Sequence, residues 1–89
     1  MIKRIITAGT EEKSDACITV SPSDSGRVIV LEKLPHPRFH DAVLEMVNRV
    51  LDEENVTDVQ VRVLDFGALN FVIEARLRAA IHEAEREVI

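Results

Sequence analysis

The 89-residue chain has neither tryptophan nor tyrosine, and aromatic residues make up only 3% of it. Proteins that bind single-stranded nucleic acid stack the bases on aromatic side chains, so this composition argues against such a surface. The formal net charge of −5 argues in the same direction, because phosphate contacts need a basic face. We therefore expect no nucleic-acid partner, and an acidic surface that steers the chain toward a basic protein partner.

Cysteine and long apolar runs are also scarce. A single cysteine, Cys17, excludes a disulfide framework and makes a reducing cytoplasm the expected compartment. In the middle of an apolar run and without a local activating partner, Cys17 is expected to be a buried small hydrophobe rather than a nucleophile. No apolar run approaches the roughly 20 residues that span a bilayer, and the one after Lys3 and Arg4 is too short for a signal peptide. We expect no membrane partner.

The residues that are present predict one domain over residues 1–89, because 46% of them are apolar and the length lies near the lower limit for a single core. Short β-rich runs separated by turn residues predict strands, and apolar residues at helical spacing predict helices. The predicted strands are residues 2–9, 16–20, 27–34 and 57–64, and the predicted helices run from 38 to a stop at 55 and over 68–88. The order βββαβα predicts an α+β fold, a small, mostly antiparallel sheet covered on one face by two helices. A short loop containing Gly26 predicts that the second and third strands form a hairpin.

The faces of these elements are also predicted from their apolar periodicity. Val59, Val61 and Val63 alternate with polar residues, as in a half-buried strand. The apolar stripe of the first helix contains Phe39, Val43, Leu44, Val47, Val50 and Leu51, and that of the second contains Leu69, Val72, Ile73, Leu77, Ala80, Ile81, Ala84 and Val88. Pro37 suits the first helical turn, and Glu74 and Arg78 stand at the favourable i,i+4 spacing of an ion pair.

No group of residues in the sequence indicates an independent active site. His36 and His40 are four residues apart, but Pro37 lies between them, and a third metal ligand would have to come from the distant His82 or a carboxylate. The triplet DFG at 65–67 matches the kinase metal-binding motif by chance, since a Gly-rich loop and a catalytic loop are missing, and it is expected to be a turn. On these grounds we expect a small acidic domain that works with partners.

Two segments resemble a known family. Residues 8–15 read A-G-T-E-E-K-S-D, and residues 61–80 follow V-x-V-x-D-x-G-A-L-x-x-V-I-x-A-R-L-x-A-A. Both are similar to the acyl carrier protein (gamma) subunit of citrate lyase and, more distantly, to the carrier subunit of malonate decarboxylase. The resemblance covers nearly the whole chain. It implies a single acyl-carrier-like domain that is a non-catalytic subunit of an enzyme complex.

The resemblance also implies a cofactor and partners. In that family a loop serine carries 2′-(5″-phosphoribosyl)-3′-dephospho-CoA, a phosphopantetheine-like arm joined through a phosphodiester. The thiol at the end of the arm holds acetyl or citryl as a thioester. The implied partners are the alpha (acyl transferase) and beta (lyase) subunits of citrate lyase, or their malonate decarboxylase counterparts, and the holo-transferase that attaches the arm. Arg76, Arg78 and Lys13 are the basic residues expected to meet the phosphates of the arm or the acids of a partner, although a solvated helix face is the favoured interpretation for Arg78.

The attachment loop departs from the family pattern by one position. The pattern is approximately G-T-L-E-S-[SG]-D, so its modified serine aligns with Lys13 of this chain, and its neighbour aligns with Ser14. Either the loop slips by one residue and Ser14 is the attachment point, or the chain is an unmodified interaction or scaffold subunit. A third interpretation makes Ser14 a solvated loop residue or a local backbone cap. A small enzyme acting alone is the weakest alternative, because no residues are found to carry it.

Overall fold

The computed structural model describes residues 1–34 and 37–86. The strands are β1 (Ile6–Gly9), β2 (Ala16–Pro22), β3 (Arg27–Lys33) and β4 (Val59–Asp65). The helices are α1 (His40–Glu53), which follows a 3₁₀ turn at Pro37–Phe39, and α2 (Asn70–Glu85). This order confirms the predicted α+β class and the sequence of elements. Pro37 opens the 3₁₀ turn, as its fixed φ and missing N–H favour.

The four strands form one mixed sheet in the order β1-β2-β4-β3. Strand β4 is antiparallel to β2 and parallel to β3, so the predicted β2–β3 hairpin is wrong. A parallel neighbour needs a crossover connection, and helix α1 supplies it between β3 and β4. Strand β4, with three fully buried valines, takes one of the two central positions, beside β2. Its first residue, Val59, pairs with Pro22 on one side and Arg27 on the other, so the loop between β2 and β3 passes the start of β4.

Both helices pack on one face of the sheet, as the sequence predicts. Alternate residues of β2 and β4 point toward them, and the buried side chains of both helices complete the core. The buried residues of these four elements are Ala16, Ile18, Val20, Val43, Met46, Val47, Val50, Leu51, Val59, Val61, Val63, Ile73, Leu77, Ala80, Ile81 and Ala84. This core fixes the ends of the strands from which the loops described below emerge.

Cys17 lies on the other face of the sheet and is only partly buried. Its neighbours Ala16 and Ile18 are fully buried under the helices, and successive side chains of a strand point to opposite faces. The prediction of a buried cysteine is therefore wrong: the two-residue period of the strand places the thiol on the face that the helices leave uncovered.

The apolar stripes of the helices are confirmed in their middle and fail at their beginnings. Phe39 and Leu69 are exposed, Leu44 is half-buried, and Met46 joins the core instead. Leu69 precedes α2 in an extended conformation, with φ −71° and ψ 153°, so helical periodicity does not apply to it. Val88 and His36 lie outside the described residues.

The direction of the elements brings six of their ends together. The end of β1, the start of β2, the ends of β3 and β4, and the starts of α1 and α2 all lie at one end of the sheet. We call this the loop end. The segment with Ser14, which joins β1 to β2, lies there, beside the turn that joins β4 to α2.

Candidate functional site

The backbone of the loop with Ser14 is held against the β4–α2 turn. The Ser14 N–H donates to the carbonyl oxygen of Phe66 at 2.8 Å, and the Phe66 N–H donates to the carbonyl oxygen of Asp15 at 3.0 Å. Ser14 has a φ of +71°, a conformation that costs a non-glycine residue roughly 1–2 kcal/mol. These two backbone hydrogen bonds offset that strain. The loop is thus fixed on both sides of Ser14, while the residue itself is exposed.

Asp15 is the hydrogen-bond centre of this loop. Its Oδ1 accepts the N–H of Ala16 at 2.7 Å and the Arg76 Nε–H at 3.2 Å. Its Oδ2 accepts the Thr10 hydroxyl at 2.7 Å and a second Arg76 N–H at 3.1 Å. The Thr10 hydroxyl, the Ala16 N–H and the Arg76 guanidinium, in that order, lower the pKa of Asp15 to about 2. Asp15 is therefore a carboxylate at neutral pH, and it ties the β1–β2 loop to helix α2.

The two hydroxyl groups of the loop differ in their availability. The Thr10 hydroxyl donates to Asp15 and also accepts the Glu12 N–H at 3.3 Å. The Ser14 side chain makes no hydrogen bond to any residue in the ranges 1–34 and 37–86. Ser14 is therefore not a side-chain cap for the described backbone. Of the two hydroxyls, only that of Ser14 is both exposed and without an internal partner.

The turn after β4 is built on Asp65, which is 6% exposed. Its Oδ1 accepts the N–H groups of Gly67 at 2.9 Å and Ala68 at 2.8 Å, an Asx-type turn of the kind that Asp commonly forms. The triplet DFG is thus a turn, as predicted. Gly67 has a φ of +96°, and a Cβ built on it would lie 3.9 Å from the Ser14 nitrogen. The turn therefore passes directly beside Ser14.

Of the three basic residues singled out in the sequence, only Arg76 is bound to the loop. Arg78 instead donates to Glu53, Glu54 and Glu74, so it joins α2 to the end of α1 at the far end of the sheet. Lys13 is exposed on the loop beside Ser14. Arg78 is 28% exposed, because three carboxylates surround its guanidinium. Its predicted i,i+4 ion pair with Glu74 is confirmed.

The histidines lie apart from this site. His40 contacts Asp41, and His82 contacts Glu54. Within the part of the chain that the structure describes, histidine, cysteine and carboxylate groups do not come together as a metal site. In the same residues, no helix is both long and apolar enough to cross a bilayer.

The contributions of Thr10 and Asp65 were not predicted from the sequence. Asp65 belongs to a recognisable local signal, because an aspartate shortly before a glycine favours a turn stabilised by its own side chain. A threonine five residues before an aspartate is not a known signal. Its contact with Asp15 depends on the curvature that Gly9, at φ +94°, gives to the end of β1.

Comparison with known proteins gives a consistent family. Residues 3–84 match the model of the acyl-carrier family described as malonate decarboxylase delta subunit (MdcD). Proteins named citrate lyase acyl carrier protein are similar over most of their length. The one from Halothermothrix orenii is 38% identical over 85 residues, which cover 96% of this chain and 90% of that protein. Those from Latilactobacillus sakei and Fusobacterium nucleatum are 38% and 35% identical, over 91% and 94% of this chain and 80% and 90% of those proteins.

Proposed function

The chain belongs to the acyl-carrier family of citrate lyase and malonate decarboxylase, and on that premise we propose that it is the acyl carrier subunit of a citrate lyase-type complex. We further propose Ser14 as the attachment point of its prosthetic arm. The observation that carries this assignment is the exposed Ser14 hydroxyl, which has no hydrogen-bond partner among the described residues, on a loop whose backbone is fixed on both sides.

The residues around Ser14 fit a phosphodiester-linked group. Ser14 is exposed, and Gly67 lies beside its backbone. Lys13 stands next to Ser14, and the Arg76 guanidinium, 43% exposed, keeps part of its surface open to an anion. When bound, 2′-(5″-phosphoribosyl)-3′-dephospho-CoA would supply a terminal thiol that holds the acyl group as a thioester. A tethered thioester reaches the active sites of partner subunits at a high effective concentration.

The chain itself presents the hydroxyl and leaves the chemistry to other proteins. A general base for Ser14 would need a pKa near the working pH, whereas Asp15 has a pKa of about 2 and is occupied by Thr10 and Arg76. We propose that the holo-transferase that attaches the arm removes the proton of Ser14. We accordingly propose a non-catalytic subunit whose partners are the holo-transferase and the alpha and beta subunits. An arm that ends in a free thiol also suits the reducing cytoplasm.

Two further candidate functions differ from this proposal in one respect each, the first in the acyl group and the second in the absence of the arm. A carrier subunit of a malonate decarboxylase-type complex would use the same serine and a different acyl group, and the match of residues 3–84 to the delta-subunit family favours it. An unmodified interaction subunit would dock its partners without an arm, and the lysine in the family's serine position favours it. Whether Ser14 carries the arm distinguishes a modified from an unmodified subunit.

Intact-mass spectrometry tests the attachment. Co-expression of the chain with its holo-transferase is expected to add the mass of the arm, and Ser14→Ala should abolish the adduct. Ser25→Ala, an exposed serine of the β2–β3 loop, is the matched control and should keep it. The double variant Lys13→Ser with Ser14→Ala restores the family's serine position and tests whether the transferase tolerates the shift. An unmodified wild-type mass under these conditions would contradict the carrier function.

A further inference from the structure

A cleft opens at the loop end, between the start of α1 and the start of α2. It measures about 440 Å³, within the range of small-molecule sites, and its walls include Phe39, Ala42, Gly67, Ala68, Leu69 and Asn70. Most of these side chains are apolar, yet Leu69 is 64% exposed and Phe39 is 42% exposed. The cleft therefore leaves large apolar side chains in contact with water.

Gly67 connects this cleft to Ser14. It lines the cleft, and a Cβ on it would lie within 4.0 Å of both the nitrogen and the Cα of Ser14. A second cleft of about 390 Å³, which Lys33 and Phe66 line, meets the first at the same glycine. A group attached to Ser14 therefore begins next to the glycine that both clefts share.

The side chains of the two clefts match the chemistry of a purine nucleotide. The side-chain amide of Asn70 makes no hydrogen bond to another described residue, and such an amide pairs with N6 and N7 of adenine through two hydrogen bonds. The Phe39 ring and the Leu69 side chain offer apolar contact for the faces of a base. A base that is already tethered to the protein needs weaker contacts than a free nucleic acid does, so one aromatic ring is enough.

Two cations lie near the clefts, where they could contact the phosphates of such a group. The Arg38 guanidinium lies 5.2 Å from the centre of the Phe39 ring, and the Lys33 ammonium lies 5.1 Å from the centre of the Phe66 ring. Each cation thus borders one of the clefts, although the chain as a whole is acidic. The Asp65 carboxylate also lines the first cleft, but its Oδ1 is already bound by two backbone N–H groups.

We propose that the cleft between α1 and α2 binds the adenine of the prosthetic arm, with Asn70 on its N6–N7 edge and Phe39 and Leu69 against its faces. This inference rests on the proposed function, since the arm has to be attached at Ser14. Docking the nucleotide part would hold the first segment of the arm on the protein and leave the pantetheine part free. The freely moving tether would then be shorter, which raises the effective concentration of the thioester at nearby partner sites.

Nuclear magnetic resonance of the modified protein tests the cleft directly. Nuclear Overhauser effects are expected from the adenine H2 and H8 protons to the Leu69 methyl groups and the Phe39 ring. Ala42→Trp fills the mouth of the cleft and should abolish these effects and return the adenine shifts to those of free dephospho-CoA. Ala79→Trp, an exposed alanine of α2 outside the cleft, is the matched control and should change neither. Asn70→Ala, which removes the amide without adding bulk, should weaken the same effects.

The outcomes separate this inference from the proposed function. A full mass adduct at Ser14 without contacts from adenine to the cleft would overturn the cleft assignment and leave the carrier function intact. Contacts from the pantetheine or acyl end instead of adenine would overturn it as well, as would shifts at Leu69 that arise only when a partner subunit is added. Failure of Ser14 to accept any arm would contradict both proposals.

Discussion

Asp15, rather than Ser14, determines the shape of the β1–β2 loop. Four hydrogen bonds from three residues converge on its carboxylate, whereas the Ser14 side chain has no partner in the described structure. This division has a physical reason: a hydroxyl that donates to the loop's carboxylate would have to give up that hydrogen bond before it could be modified. Thr10 illustrates the point, because its bond to Asp15 removes it from competition with Ser14.

The pKa of Asp15 gives a direct measure of this arrangement. Carbon-13 resonances should show its carboxyl titrating near pH 2 rather than at its ordinary value of 3.8, because the hydrogen bonds favour the ionised form. Thr10→Val and Arg76→Ala should each raise this pKa. Arg62→Ala, which removes an exposed guanidinium bound to Glu32, is the control and should leave it unchanged.

The sign of the pH effect follows from the lowered pKa. The carboxylate contributes its full stabilisation of the loop above about pH 3.8, and the contribution is lost as the pH falls through about 2. The amide resonances of Ser14 and Phe66 should therefore shift over that interval, while those of central β4 stay constant. A titration of Asp15 at its ordinary pKa would show that the loop is not held in this way.

At the scale of elements, the sequence predicts the existence of each helix and strand and fails on pairing and on the first helical turns. The periodicity of Val59, Val61 and Val63 identifies β4 as a strand but contains no information on which strands it pairs with. That pairing depends on helix α1, whose crossover makes β3 and β4 parallel neighbours. In the sequence, Leu69 has the spacing of the apolar stripe of α2, but in the structure it lies before α2 and faces the cleft. The assignment of the site to Ser14 stays a prediction from the resemblance, whereas the hydrogen bonds of Thr10 and Asp65 depend on how the chain turns and were not predicted.

The β1–β2 loop requires glycine at position 9, the last residue of β1. A Cβ on Gly9 would lie 1.8 Å from the Ala16 carbonyl oxygen, whereas one on Gly26 would meet nothing within 4 Å. Both glycines have positive φ, so the two alanine variants share the backbone strain and differ in the clash. We expect Gly26→Ala to lower the free energy of unfolding by about 1 kcal/mol and Gly9→Ala by more than about 3 kcal/mol. Urea denaturation measures both, and equal losses would contradict the contact at Gly9.

Considered as a whole, the molecule keeps its candidate site and its main charge network at opposite ends. The loop end contains Ser14, the clefts and the starts of both helices. The other end contains the Arg78 network, in which the guanidinium binds Glu53 and Glu54 at the end of α1 and Glu74 on its own helix. The partial positive charges of the helix N-termini therefore face the end where the phosphates of the arm would attach. The network at the far end connects α1 to α2 without touching that surface.

This separation predicts that stability and modification respond independently to mutation. Arg78→Met should lower the urea midpoint more than Arg62→Met, because Arg78 binds three carboxylates and Arg62 binds Glu32 alone. Hydrogen bonds from Arg78 lower the pKa of Glu53, and those from Arg49 and then Arg78 lower that of Glu74. The stabilisation is therefore complete above the ordinary glutamate value of 4.5 and lost as the pH falls through the lowered values. High salt should also reduce it.

The Arg78→Met variant also shows whether modification of Ser14 depends on the local contacts of its loop or on the stability of the whole domain. In buffer without urea, we expect the Arg78→Met variant to remain folded. Its Ser14 should then accept the arm to the same extent as in the wild type, as followed by intact mass. Arg76→Ala removes a guanidinium of the same kind at the loop end, so it should slow modification while changing the urea midpoint less than Arg78→Met does. Equal loss of modification in both variants would mean that the loop depends on overall stability rather than on its own contacts with α2.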